Sequence, residues 1–581
     1  MQVPTKRAAS ICALYAALSL LMCAPLFAQP NGVGHFDWDQ HLFYYASVLK
    51  SVIEYAQWPF WNPWYCGGNV LWQNPQVALF SPAYPLALVL SLPLAMKMNI
   101  VLHYWIGFIG MHLLLRRVVR VRSMPLVIYL SCVFVAGGAL ALHVAEGHST
   151  MLPAFYLPLQ LFWLCRAMSG GTIRDALLAA AVAALTVING GLHIVPVMIV
   201  GFGTLALAAA ATQRSWRPLL TVVVVGAAGI AYAAPKLVPV VAYIESDSFR
   251  DHRPLAVRDA MTVEMVEHAY LDSHQTRRSR FGDHEYGWHE YGNYIGAPAV
   301  LLMIAALLWA LVRPPGDTRW LGMSLALASV MLFALSLGNF SPIAPATLMR
   351  GLPLFSRFRL PSRYTIGFAL FATTTAGWAL HDLSLDVVRT RRGQIAVAAL
   401  CALASFDLIW RNGSHFVGVF DQRPLDHGFS LLRRSAALVT DTSIDAMKQD
   451  APMLRALMSD RSTFTCYESL RLNQLADPAK PLVFSDGPLK VETSRFTPNR
   501  IDVTVVGAPD ASRLFVNQNY APGWRSTLGP VAADPQYRNI AVSVPSWAAG
   551  AHSIVFTPPG LSFGFVVFAL AILASARSLR R

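Results

Sequence analysis

The chain has 581 residues, of which 55% are hydrophobic and only 13% charged, and its mean hydropathy is +0.44. Soluble domains carry about 25% charged residues, so this composition excludes an ordinary soluble protein and indicates one built for lipid. The net charge of +14 does not indicate nucleic-acid binding, because lysine and arginine fall in short clusters between apolar runs. The positive-inside rule predicts that pattern for cytoplasmic loops.

The first apolar run, residues 8–28, follows Lys6 and Arg7 and predicts a membrane span that begins on the cytoplasmic side. A cleaved signal peptide is the alternative, since the run ends in LFAQP. The run is long for a signal peptide, and Leu26 would occupy a position where cleavage favours a small residue. Either interpretation leaves the remaining topology unchanged.

Two aspartates, Asp37 and Asp39, follow this span in the sequence GHFDWDQHLFYY. Residues 40–57 then carry apolar side chains at helical spacing with polar ones opposite, and four tryptophans follow between 58 and 72. This pattern predicts an amphipathic helix on the outer membrane surface, which would hold the two carboxylates near the lipid headgroups. The simpler role for the aspartates is to cap that helix at its N-terminus.

Twelve membrane spans are predicted in all, because each needs about 20 mostly apolar residues. They are residues 8–28, 97–115, 124–142, 151–167, 174–190, 191–211, 217–240, 294–313, 319–337, 364–381, 394–411 and 561–577. The apolar run 77–96 contains three prolines, and as a span it would move later basic loops to the outside. It is therefore predicted to lie at the outer surface, with 241–293 as an outer loop and both termini in the cytoplasm.

Nearly all the unusual polar residues that flank the spans fall on the predicted outer side. They are Asp37, Asp39, His143, Glu146, His148, Asn189, His193, Glu290, Arg357, Arg359 and Arg363. Ionisable groups near the bilayer are costly and usually mark function, so their shared sidedness predicts a single outward-facing site.

Each of these groups also has a simpler interpretation. The three arginines could anchor a span at the membrane surface, and Glu290 could pair with a basic segment at 277–280. His143, Glu146 and His148 could bind a divalent metal, although ordinary loop polarity explains them as well. No metal ligand is assigned on the sequence alone, and a divalent metal remains an option rather than a requirement.

The segment 412–560 differs in composition, with frequent charges, prolines and turn signals. Short runs such as RIDVTVVG, RLFVNQNY and HSIVFTP predict strands separated by glycine, proline and aspartate. The predicted fold class is thus an α-helical polytopic membrane protein with a C-terminal extracytoplasmic α/β region that contains a small β-sandwich. The domains are 1–411 in the membrane, 412–560 outside it, and 561–581 as a final span with a basic cytoplasmic tail.

Five of the seven cysteines lie in apolar spans and are expected to behave as small hydrophobic residues. Cys66 and Cys466 both fall on the oxidising side, where a disulfide between them could form. The chain has no CxxC, Walker-type glycine loop, HExxH or GxSxG in a suitable context. The missing phosphate loop argues against an ATP-driven pump.

Several stretches resemble the GT-C glycosyltransferases and, more narrowly, the YfhO-type bacterial membrane proteins. They are FDWDQHLFYYASVLKSVIEYAQWPFWNPWYCGGN, the GH followed by PAFYLPL, HEYGNYIG, FRLPSRY, and NQNYAPGW with VSVPSWAAGAHSIVFTPPG before the last helix. Their order and shared sidedness carry the resemblance, since an aspartate pair alone is a weak signal.

The resemblance implies sugar transfer from a polyprenyl-phosphate donor to an envelope glycan, lipid or protein acceptor, at the outer face of the bacterial inner membrane. Asp37 or Asp39 would be the general base that takes the proton of the acceptor hydroxyl. Arg359 and Arg363 would stabilise the phosphate leaving group. The remaining substrate-binding candidates are Glu290, Tyr291, His143, Glu146, His148 and His193.

Two other functions fit the same build. A transporter or flippase of lipid-linked glycans would be polytopic too, but should show polar residues at mid-bilayer or repeats with broken helices. A non-catalytic envelope assembly factor would keep the fold and tolerate loss of Asp37 and Asp39.

Overall fold

The computed structural model describes residues 5–246, 260–313, 319–353, 355–358, 360–426, 428–429, 439–441, 450–463, 480–486, 489–506, 512–536, 538–546 and 548–580. Most of this chain is helical, and strands dominate after residue 480. The α-helices are Thr5–Cys23, Trp38–Ile53, Ala83–Ala87, Leu92–Leu113, Met124–Val135, Gly138–Glu146, Leu157–Met168, Ile173–Ile188, Val195–Gln213, Arg217–Ile244, Val263–Leu271, Trp288–Tyr291, Ala297–Val312, Arg319–Ser336, Pro345–Met349, Tyr364–Asp382, Arg391–Gly413, Pro452–Met458 and Leu561–Arg580.

Seven helices in the described ranges are long and apolar enough to cross a membrane, which makes the chain a multi-pass membrane protein. They are Ala8–Phe27, Leu92–Val119, Leu192–Gln213, Arg217–Ile244, Arg319–Ser336, Arg391–Phe416 and Leu561–Arg580. The pair Met124–Val135 and Gly138–Glu146, bent by 40°, would be an eighth span.

The predicted count of twelve spans is not confirmed. Residues 174–190 and 294–313 contain the helices Ile173–Ile188 and Ala297–Val312, of 16 residues each. At 1.5 Å per residue each covers about 24 Å, less than the hydrocarbon core of about 30 Å. Residues 151–167 are divided between the 3₁₀ helix Ser149–Tyr156 and the α-helix Leu157–Met168. Tyr364–Asp382 has 19 residues but lies inside the bundle, where every residue up to Ala379 is buried.

Local signals account for several helix boundaries. The Ser91 hydroxyl accepts from the backbone N–H of Leu94 and begins the helix at Leu92, inside the stretch 77–96 that was predicted as one surface element. Within that stretch the structure has only the short helix Ala83–Ala87 before Leu92. A capping box between Thr172 and Asp175 starts the Ile173–Ile188 helix.

Two four-stranded antiparallel sheets form most of the C-terminal region that the structure describes. One has the strand order Val531–Ala533, Asn539–Val544, Ser512–Asn519 and Val483–Ser485, and the other the order Lys490–Thr497, Arg500–Val506, Gly550–Phe556 and Trp524–Ser526. Alternate residues such as Ile501, Val503 and Val505 are buried, as expected for strands with one covered face. Shorter pairs join Trp61–Asn62 to Asn69–Val70 and Val439–Asp441 to Arg461–Thr463.

The Trp38–Ile53 helix is buried on its polar side as well as its apolar side. Lys50 is 1% exposed and its Nζ lies 2.6 Å from Glu54 and 2.7 Å from Asp460. Residues 40–57 are predicted to form an amphipathic helix on the outer membrane surface. In the structure the polar side of this helix packs against the C-terminal region instead of facing water. The helix also ends earlier, at Ile53.

Candidate functional site

Asp37 and Asp39 face different surroundings. Asp37 precedes the Trp38–Ile53 helix and Asp39 lies in its first turn. Because successive helical residues are rotated by about 100°, side chains two positions apart point to nearly opposite sides. The Asp39 carboxylate accepts hydrogen bonds from the backbone N–H groups of Met453 at 3.0 Å and Leu454 at 2.9 Å. It thus binds the first turn of Pro452–Met458, away from the side on which Asp37 lies.

The backbone around Asp37 is fixed by close contact with a second segment. The Asp37 N–H donates to the Glu146 carbonyl at 3.1 Å, and the Trp38 indole N–H donates to the Val144 carbonyl at 2.9 Å. Gly147 has φ +109°, and a Cβ there would lie 2.3 Å from the backbone nitrogen of Trp38. Glycine at 147 therefore permits both the turn and the close approach of the two segments.

Asp37, His148 and His143 form a hydrogen-bonded chain. The Asp37 carboxylate lies 3.2 Å from His148 Nε2, and His148 Nδ1 lies 2.8 Å from His143 Nδ1. The Asp37 side chain is 37% exposed, whereas that of His148 is 12% exposed and His143 is buried. Asp37 is therefore the accessible end of the chain.

Asp37 and His148 stabilise each other's charged forms. Burial alone would raise the pKa of Asp37, but the hydrogen bond and charge of His148 lower it below the usual carboxyl value. Burial likewise would lower the pKa of His148, but Asp37 raises it. Asp37 is consequently ionised at neutral pH.

Glu290 and Arg363 form a bidentate ion pair beside the histidines. Arg363 Nε donates to one Glu290 oxygen at 2.8 Å and an Arg363 terminal nitrogen to the other at 2.5 Å. Both side chains are largely buried, at 3% exposure for Glu290 and 14% for Arg363. Burial would raise the pKa of Glu290, but the guanidinium holds it well below its usual range. The partner of Glu290 is thus Arg363 rather than the 277–280 segment.

A second carboxylate, Glu146, lies at the edge of the same cluster. Its oxygens are 3.8 Å from an Arg278 terminal nitrogen and 4.0 Å from His289 Nδ1. The buried Oε2 atom makes no hydrogen bond to any residue that the structure describes. The guanidinium groups of Arg277 and Arg278 lie 4.6 and 3.5 Å from the centre of the Phe36 ring, next to Asp37.

The structure brings together most of the residues that the sequence singled out. The cluster contains Asp37, His143, Glu146, His148, Glu290 and Arg363, and His193 is near enough to interact electrostatically with His148, Glu290 and Arg363. Tyr291 is buried and its ring packs against His284, 5.5 Å away. Arg359 and the Arg357 side chain lie outside the described part of the chain.

His41, His289 and Arg278 also belong to this cluster, although they are not among the residues predicted from the sequence. His41 follows Asp37 by four residues and so shares its helical face, a signal that was available. Its Nδ1 lies 3.0 Å from the Ser149 hydroxyl, and burial lowers its pKa to about 4. His289 gave no periodic signal because it lies in the four-residue helix Trp288–Tyr291.

In the described residues, His143, His148 and Glu290 form a group of side chains of the types that can bind a metal ion. Each offers one ligand atom, and these three atoms lie within 4.8 Å of one another. The sequence had grouped Glu146 with the two histidines, but Glu290 takes that place.

Known proteins similar to this chain are found by structure and not by sequence. No protein-family model matches the chain, and no curated protein sequence matches it. The structure is similar to the cryo-EM structure of the arabinofuranosyltransferase AftD from Mycobacteria, with a TM-score of 0.44, 12% sequence identity and coverage of 96% of this chain and 40% of that one. A mutant of the same enzyme gives a TM-score of 0.43, 12% identity and coverage of 96% and 42%. The chain thus spans about two fifths of the length of that enzyme.

Proposed function

We propose that this chain is a GT-C-type membrane glycosyltransferase that moves a sugar from a polyprenyl-phosphate donor to an envelope acceptor on the outer face of the membrane. The observation that carries the proposal is the convergence of Asp37, His148, Glu290 and Arg363, which come from four separated segments, into one cluster. A buried group of ionisable residues is costly, and a membrane protein retains one chiefly where it acts on a ligand.

Asp37 is the proposed general base. An acceptor hydroxyl loses its proton as it attacks the anomeric carbon, and a carboxylate within hydrogen-bond reach can accept that proton. Asp37 fits because it is ionised and more exposed than His148 and Glu146, while Asp39 is held by two backbone N–H groups. His148 holds one Asp37 oxygen and leaves the carboxylate free to take the proton through the other.

Arg278 is the proposed partner of the phosphate leaving group. The Arg363 guanidinium already donates hydrogen bonds to both oxygens of Glu290. Arg363 is therefore assigned to positioning Glu290. Arg278 is 48% exposed, contacts Glu146 only at 3.8 Å and lies over Phe36 beside Asp37. Its guanidinium is therefore free to form paired hydrogen bonds to phosphate oxygens. Arg359 is a second candidate for binding the phosphate, on the basis of the resemblance to GT-C glycosyltransferases alone.

The outer location of the cluster is supported by Cys66. This cysteine is disulfide-bonded, whereas the other cysteines in the described ranges are free, and the predicted partner Cys466 lies outside those ranges. Disulfides persist on the oxidising side of a membrane. The Asn519 amide donates to the Cys66 carbonyl at 2.5 Å, so the C-terminal sheets share the side of Cys66.

The test is a transfer assay with the purified full chain and a panel of farnesyl-phosphoryl monosaccharides, following release of farnesyl phosphate. Asp37→Asn should lower kcat by about 100-fold or more, because it removes the base. Asp39→Asn is the matched control from the same helix and should retain most activity. Equal loss in both variants, with both monodisperse in detergent, would contradict the assignment of Asp37.

Arg278 is tested in the same assay. Arg278→Gln should weaken donor binding by about tenfold in KM, in line with the loss of one charge-assisted phosphate contact. Arg280→Gln, an exposed arginine of the same segment, is the control and should match the wild type. An unchanged KM in Arg278→Gln would remove Arg278 from the donor site.

A transporter of lipid-linked glycans is the second candidate, because of the bent helix pair Met124–Val135 and Gly138–Glu146. Broken helices are typical of transporter binding sites, and Glu146 ends this pair. Flipping of a fluorescent polyprenyl-phosphate sugar in proteoliposomes, without release of polyprenyl phosphate, would favour the transporter over the transferase.

A further inference from the structure

Two imidazoles of the cluster face each other through the same type of atom. His143 Nδ1 and His148 Nδ1 are 2.8 Å apart, and one ring nitrogen of each histidine lies within 4.8 Å of a Glu290 oxygen. Two nitrogens around a tetrahedral Zn²⁺ with Zn–N bonds of about 2.0–2.1 Å lie about 3.3 Å apart. An opening of about half an ångström would therefore admit the ion between them.

His143, His148 and Glu290 have neighbours of the type that orient metal ligands in proteins. Asp37 contacts His148 Nε2 at 3.2 Å and so leaves the other ring nitrogen, Nδ1, available to a metal ion. Arg363 grips Glu290 from the other side and fixes the direction of its carboxylate.

The local charge also allows a cation. The three carboxylates Asp37, Glu146 and Glu290 outnumber the two guanidinium groups that contact them, those of Arg278 and Arg363. A histidine that binds zinc must be neutral, so with His148 as a ligand the three carboxylates and two guanidinium groups leave one net negative charge for the divalent ion.

We propose that His143, His148 and Glu290 form a Zn²⁺ site, with two imidazole nitrogens and one carboxylate oxygen as ligands. Three protein ligands leave one coordination position for water or a substrate oxygen, as in catalytic rather than structural zinc sites. Two imidazoles and a carboxylate favour Zn²⁺ over Mg²⁺ or Ca²⁺, which prefer oxygen ligands alone. The site does not depend on the transferase proposal, since zinc content is measured without a sugar substrate.

The experiment measures zinc in the purified full chain by mass spectrometry after equilibration with ZnCl₂ and desalting. We expect about one zinc per chain in the wild type and at least a tenfold weaker affinity in His143→Ala and in His148→Ala. His289→Ala is the matched control, because His289 belongs to the cluster but not to the ligand set, and it should retain zinc. Co²⁺ in place of Zn²⁺ should give the intense visible absorption of a tetrahedral site.

Three results would overturn the zinc site: no zinc above the blank, zinc retained in both ligand variants, or equal loss in His289→Ala. If the ligand variants are not monodisperse, the Co²⁺ spectrum of the wild-type protein decides, and a weak octahedral spectrum rejects the site. Zinc binding without sugar transfer would leave the site in place and reject only the transferase proposal.

Discussion

Two identical side chains two residues apart have separate tasks in this protein. Asp37 is ionised, partly exposed and hydrogen-bonded to His148, whereas Asp39 is 3% exposed and bonded to two backbone N–H groups. The separation follows from helical rotation alone, because positions i and i+2 cannot face the same partner. The two aspartates of this DxD sequence thus belong to different sites. The alternative that they cap their own helix is not confirmed, because Asp37 makes no side-chain cap hydrogen bond and Asp39 binds the first turn of Pro452–Met458 instead.

The pKa of Asp39 is raised, unlike that of Asp37, so Asp39 makes the stability of the protein depend on pH. Burial raises its pKa to about 6, with the N–H groups of Leu454 and Met453 opposing the rise. The folded state then binds a proton more tightly than the unfolded state does between about pH 4 and pH 6, so the contribution of Asp39 to stability falls as pH rises through that window. Asp39→Asn cannot ionise and should lose this slope.

The measurement is thermal unfolding by intrinsic fluorescence from pH 4 to pH 7. The melting temperature of Asp39→Asn relative to wild type should rise with pH across this range. Asp39→Ala should be less stable than Asp39→Asn at every pH, because each buried N–H left without an acceptor costs about 1–3 kcal/mol. Parallel pH curves for wild type and Asp39→Asn would rule out Asp39 as the titrating group.

At the scale of elements, the site depends on how the Trp38–Ile53 helix meets the end of the Gly138–Glu146 helix. Gly147 allows this contact, so Gly147→Ala should displace Asp37 and lower transfer activity by about 100-fold, in line with the cost of a 1 Å shift at a reacting group. Gly170→Ala is a close control, since Gly170 also has positive φ, at +83°, but its Cβ would meet nothing within 4 Å.

Both glycine variants share the backbone strain of a left-handed residue, so their difference isolates the steric contact with Trp38. Activity and melting temperature should be measured together. If the two variants lose activity equally, the contact between the segments is not what positions Asp37.

At the scale of the whole molecule, long apolar runs predicted the membrane-spanning helices, and short β-type runs between turn residues predicted the strands after residue 480. Apolar composition could not predict where the buried helix Tyr364–Asp382 lies, because a buried helix and a membrane span have the same composition. The cluster was predicted in part because charge is rare in this chain. The pairing of Glu290 with Arg363, 73 residues apart, follows from tertiary packing and left no local pattern.

The surroundings of the Trp38–Ile53 helix also could not be predicted from the sequence. Lys50 and Glu54 predict a face toward water, but a polar face is satisfied equally well by a polar partner. Asp460 supplies that partner. Only the fold could reveal that the C-terminal region covers the helix.

That coverage makes the C-terminal region part of the membrane domain's own core. Trp61 is 1% exposed, its ring lies 5.1 Å from that of Trp524 and 4.9 Å from that of Phe556, and its indole N–H donates to Gln518 at 2.6 Å. Two parts joined by such a contact should unfold in one transition. Trp61→Ala should cost about 3–5 kcal/mol and separate the melting of the sheets from that of the helices.

Differential scanning calorimetry in detergent tests this coupling, together with limited proteolysis within the C-terminal region. We expect one transition for the wild type, two for Trp61→Ala, and faster cleavage in the variant. Trp58→Ala is the control, because Trp58 is 65% exposed and its loss leaves the core intact. Two transitions in the wild type would mean that the sheets and the membrane helices are separate units, and Asp39 and Lys50 would then join two independent bodies rather than complete one core.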